Sequence, residues 1–154
     1  MAAPRAESVP KNAWLAETRP ADQVFIVSLR RWLEGPGGQR AVWLGLASEL
    51  GQHQAHEVLA ALEAFLAALA MGLRRQLLRH AAHCPCLGED EALLAEIVRH
   101  AARGDRETAL CRAAEVVREP DLIVTVERAA RLGSLFEDLA VSPPTPANTS
   151  VTLH

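Results

Sequence analysis

The stretch Leu62-Glu-Ala-Phe-Leu66-Ala-Ala-Leu69-Ala-Met-Gly-Leu73-Arg-Arg-Gln-Leu77 decides the fold class. Its leucines step by four, three, four and four residues. That is the spacing of an apolar stripe on an α-helix, not the alternation of a strand. Alanine and leucine, both strong helix formers, fill much of the surrounding sequence. The same pattern extends back to Gln54 and forward to His83, which predicts one long central helix over 54–83. Pro85 then disfavours helix at Cys84, and Gly88 opens the next turn.

Working outward, the remaining elements read as helices too. Asn12 is a good N-cap for a short helix reaching Thr18, and Pro20 sits where a helix start tolerates it. Val24, Phe25, Val27, Leu29 and Leu33 follow, until Gly35-Pro36-Gly37-Gly38 stops the run. A helix over 39–50 carries Val42, Trp43, Leu46 and Leu50 on one side, with Gly51 just past its end. Beyond the central helix, Glu89-Asp90-Glu91 places negative charge at a helix start, which suits the helix dipole. That helix runs to Arg103. Gly104 ends it, Asp105 caps the next, and Pro120 precedes a last helix over 121–139. About six helices and no strand predict an all-α helical bundle. It occupies 12–141, between a flexible N-terminus over 1–11 and a Pro-rich disordered tail over 142–154.

Size and composition fit one domain: 154 residues, 49% of them hydrophobic and only 4% aromatic. A net charge of -3 argues against coating nucleic acid through bulk charge. Lys11 is the one lysine beside many arginines, the codon signature of a GC-rich gene. Cys84, Cys86 and Cys111 are too few for a disulfide framework. The N-terminal stretch has no apolar core of a secretory signal. Arg74, Arg75 and Arg79 end the longest apolar run before it reaches the length of a membrane span. The expectation is a cytoplasmic protein with no membrane contact.

The chemistry concentrates in His80-Ala-Ala-His83-Cys84-Pro85-Cys86-Leu87-Gly88, with two imidazoles and two thiols in seven residues. Imidazole nitrogen and thiolate sulfur are the ligands that zinc prefers. Continued past Leu77, the stripe reaches His80 by three and Cys84 by four, so a continuous helix would turn both inward. His80, Cys84 and Cys86 make a three-ligand set for a structural Zn2+. His83 or His100, or His53 or His56, would supply the fourth ligand, and Cys111 is a weaker candidate. One H-x3-C-x-C is far less specific than paired C-x2-C motifs, and buried Cys and His are equally ordinary core residues. Arg74, Arg75 and Arg79 form a candidate anion site. Their alternative partners are the carboxylates of Glu89, Asp90, Glu91 and Glu96.

Leu46-Ala-Ser-Glu-Leu50-Gly51 followed by a helix resembles a helix-turn-helix. The second helix carries Val58, Leu59, Leu62, Phe65 and Leu66, too apolar for a solvated groove, so nucleic-acid binding is disfavoured. No phosphate loop, nucleophile elbow or H-E-x-x-H stands in the chain, and catalysis is not expected. The run Arg74-Arg-Gln-Leu-Leu-Arg-His80, continuing through Cys84-Pro-Cys-Leu-Gly-Glu-Asp-Glu91, resembles a group of small uncharacterised bacterial helical proteins. The resemblance covers the first helix through the last and implies a compact helical domain without an assigned activity. The sequence thus leaves a structural zinc protein against two alternatives. One is a metal-free interaction module, a homodimer or an adaptor for a protein partner. The other is a DNA-binding regulator.

Overall fold

Phe25, Ile26 and Leu29 begin a core to which all six α-helices contribute. The computed structural model describes residues 13–141; the expectations for the two chain ends lie outside these residues. A short 3-10 turn, Leu15–Glu17, precedes α1 (Pro20–Trp32). Then come α2 (Pro36–Leu50), α3 (Gln52–Gly72), α4 (Glu89–Ala102), α5 (Arg106–Ala113) and α6 (Leu122–Val141). No strand is present among the described residues, so the all-α bundle is what the chain forms. α2 starts at Pro36, three residues before the expected 39, because proline is well suited to a first helical turn.

The last helix is the hub: α6 packs against α1, α3, α4 and α5. Phe25 of α1 sits edge-on to Phe65 of α3 and Phe136 of α6, each ring centre 6.1 Å away. The α4–α6 crossing is close because Gly133 carries no side chain. A Cβ there would stand 2.6 Å from the Val98 carbonyl oxygen and 2.7 Å from the Ala102 Cβ.

The central helix is shorter than the leucine stripe implies. α3 stops at Gly72, and residues 73–88 form an irregular strap leading to α4. Tertiary bonds replace helical ones at this point. Leu73 pairs with Val117 as an antiparallel bridge. Arg74 N–H donates to the Val116 carbonyl at 2.9 Å, and Arg118 N–H to that of Gly72 at 2.8 Å. Gly72 permits the contact: a Cβ at this position would lie 2.6 Å from the Asp121 Cβ and 2.8 Å from Val117 Cγ1. The inward facing of His80 and Cys84 along one continuous helix is therefore corrected. α5 also ends early, at Ala113 rather than near Pro120.

By length and mean hydropathy, 1.4, α3 matches a membrane-spanning helix, contrary to the expectation that no run would reach that length. Its many alanines raise the mean without adding long side chains. Val58, Leu62, Phe65 and Leu69 are buried within the bundle.

Candidate functional site

The strap is held by charge. Arg30 on the last turn of α1 is fully buried, and so is Glu91 on the first turn of α4. The guanidinium grips the carboxylate in a fork: Nε to Oε1 and Nη2 to Oε2, both 2.7 Å. Its other N–H groups reach into the thiol loop. Nη1 donates to the Cys84 carbonyl at 2.7 Å and Nη2 to the Cys86 carbonyl at 2.6 Å. Glu91 in turn accepts the backbone N–H of His80 at 2.9 Å and of Gly88 at 3.0 Å. Burial pushes the Glu91 carboxyl up, but the Arg30 hydrogen bonds and charge, with those two N–H groups, more than offset it and leave it below its usual range. The same carboxylate lifts the Arg30 guanidinium further above its ordinary value.

A second carboxylate repeats the pattern one residue earlier. Asp90 takes both Nη groups of Arg75, at 2.6 and 3.0 Å, and the Leu78 N–H at 2.7 Å. Arg75 chiefly holds the Asp90 carboxyl low. On the far side of the strap, Leu15 N–H donates to the Pro85 carbonyl and Leu87 N–H to that of Ala13, each at 2.9 Å. Residues 13–15, just before the first 3-10 turn, thus pair with the backbone of the thiol loop.

Within the loop, His80 Nδ1 and Cys84 Sγ lie 3.7 Å apart. Cys86 also meets Cys84: the contact, with burial, pushes the Cys86 thiol up. The other expected ligands are elsewhere. His83 is exposed, and His100 Nδ1 sits 3.0 Å from Asp105 at the α4–α5 turn. His53 and His56 lie near the start of α3, His56 against Trp43, and Cys111 is exposed on α5. Among the described residues, no three His, Cys, Asp or Glu side chains are grouped to hold a metal ion.

The arginine cluster divides. Arg75 is taken up by Asp90, the carboxylate partner that the sequence offered. Arg74 Nη1 donates to the Ala114 carbonyl at 2.8 Å, and Arg79 Nη2 reaches the Leu33 carbonyl at 3.3 Å. Both of these contacts are to backbone carbonyls. Arg30 itself escaped the sequence reading. A signal existed: it stands four residues after Ile26 on the buried side of α1, where an arginine must have a partner.

Between α1, α3, α4 and the strap lies a pocket of about 270 Å³. Eight leucines line it: Leu29, Leu33, Leu66, Leu69, Leu73, Leu77, Leu78 and Leu94. Ala70, Gln76, Arg79 and Glu91 complete the wall. Leu33 is 46% exposed and Leu78 75%, so apolar surface continues out of the pocket mouth. A second depression between α1 and α2 is more open and mixed, lined by Gln23, Arg31 and Glu49 among apolar residues. Comparison with known protein families, curated proteins and solved structures finds no match.

Proposed function

We infer that this protein is a metal-free helical interaction module whose binding face is the leucine pocket and its arginine-bearing rim. The observation that supports the reading most is the pocket itself, walled by eight leucines, with Leu78 left 75% exposed at its mouth. A concave apolar site with few polar groups is the ordinary form of a binding site, and an exposed leucine beside it is surface that a partner removes from water. The Arg30–Glu91 hub contributes by fixing the backbone of the strap, so the pocket wall is ordered before anything binds. The hub ties the strap to α4 with hydrogen bonds.

The test uses 1-anilinonaphthalene-8-sulfonate, a fluorescent apolar anion. The folded protein enhances its emission, and Ala70→Trp, which places an indole at the mouth, or Leu78→Asp removes most of the gain while the circular dichroism stays native. Enhancement that survives both substitutions contradicts the reading.

The second reading is a structural zinc ion held by His80, Cys84 and Cys86 with His83 as fourth ligand. The approach of His80 to Cys84 favours it. Elemental analysis separates the two: one zinc per chain, lost on Cys84→Ser, carries the second reading, and its absence carries the first.

A further inference from the structure

We propose that the leucine pocket takes the alkyl chain of a medium-chain fatty carboxylate, with the anionic head at Arg79. The proposal rests on the pocket being a binding face. Its lining changes character from floor to mouth. Leu29, Leu69 and Leu94 are almost wholly buried and form the floor. Leu33, Ala70, Gln76, Leu78 and Arg79 also line it yet stay exposed, so they stand at the mouth. An apolar floor beneath an amide and a guanidinium is what an amphiphile with an anionic head requires.

The charges agree with that polarity. Glu91 brings a carboxylate to the lining, but each of its oxygens already takes two donors. Oε1 accepts Arg30 Nε and the His80 N–H, and Oε2 accepts Arg30 Nη2 and the Gly88 N–H. Its charge is thus answered within the hub. Arg79 Nη2 donates to the Leu33 carbonyl at 3.3 Å, which lays the guanidinium across the mouth from the strap to the end of α1. A guanidinium carries five N–H donors, so this one long bond leaves others to meet a carboxylate. Volume selects the chain. At about 30 Å³ for each water-sized unit, the 270 Å³ of the pocket holds roughly nine methylene-sized groups. A leucine side chain offered by a protein partner fills less than half of that and leaves much of the lining without contacts. A straight chain of about eight to ten carbons fills it.

Displacement of the fluorescent anion from the full chain by hexanoate, octanoate, decanoate and dodecanoate, each below its micelle concentration, tests this. The expected result is binding that tightens about three- to fourfold for each added methylene until the pocket is full, and no further beyond it. Arg79→Gln, at an exposed position, weakens decanoate by about three- to fivefold. It leaves decanol, the same chain without the charge, unchanged. Ala70→Trp, which fills the mouth, removes the binding of both while the circular dichroism stays native. A fluorescent anion that binds but yields to no alkyl carboxylate overturns the ligand proposed and leaves the interaction module standing. A chain that takes neither probe overturns both. Affinity that ignores chain length, or that Arg79→Gln lowers equally for decanoate and decanol, also overturns the proposal. So does cosedimentation with phosphatidylglycerol vesicles without displacement by the free carboxylates, which would make the occupant a bilayer.

Discussion

Arg30 shows how one buried charge can organise backbone that has no regular structure of its own. Four of its N–H vectors are used, two on Glu91 and two on the carbonyls of Cys84 and Cys86. Lysine could not do this, because it lacks the planar fork. Removing one partner leaves the other charged in a dry site, and breaking such a pair costs about 3–5 kcal/mol. Arg30→Met therefore lowers stability by that order in urea or thermal unfolding, and Glu91→Leu does likewise. The double variant loses clearly less than the sum, since neither charge is then stranded. Additive losses would mean the two residues do not act as a pair.

At the scale of elements, the strap is where sequence and structure part. The signals that act locally are legible: Pro20 opens α1, Gly35 and Pro36 separate α1 from α2, and Gly104 with Asp105 divides α4 from α5. The Asp105 side chain accepts the Thr108 N–H, as an N-cap should. Leu73 and Leu77 keep helical spacing, yet the chain leaves the helix at Gly72. The partners that decide this are Val117 in the turn before α6, remote in sequence, and Asp90 and Glu91, whose carboxylates read as dipole charges and arginine partners but not as acceptors of the strap's own N–H groups. The thiol loop was found from composition, but its geometry depends on Arg30, more than fifty residues earlier. The thiols and His80 drew attention as donors, whereas the hub bonds the backbone carbonyls, which no motif displays.

The same element gives a prediction. Gly72→Ala forces a Cβ against Asp121 and Val117, so overpacking costs about 1–3 kcal/mol although alanine is the better helix former. Gly133→Ala at the α4–α6 crossing has a cost of similar order. Equilibrium unfolding checks both, and a stabilised Gly72→Ala chain would show that propensity, not packing, ends α3.

Across the whole molecule, the hub links stability to pH. Both carboxyls are held below their ordinary values of 4.5 for Glu91 and 3.8 for Asp90. The unfolded chain therefore binds protons more readily than the folded one in the acid range. Their stabilisation is fully present above about pH 5 and is lost as pH falls through the folded values. The unfolding midpoint should fall as the pH drops below about 4.5, and less steeply in the Arg30→Met, Glu91→Leu double variant. A midpoint that holds steady down to pH 3 would show that neither carboxylate contributes.

The most direct measurement is thermal unfolding of the Cys84→Ser, Cys86→Ser chain beside Arg30→Met, each with and without a chelator. If a charged hub shapes the strap, loss of both thiols and addition of chelator each move the midpoint by no more than about 2 °C. Arg30→Met lowers it by roughly 6–20 °C, as 3–5 kcal/mol does in a domain of this size. A large drop on thiol loss or chelation, with Arg30→Met nearly silent, would contradict the hub and return the strap to a metal.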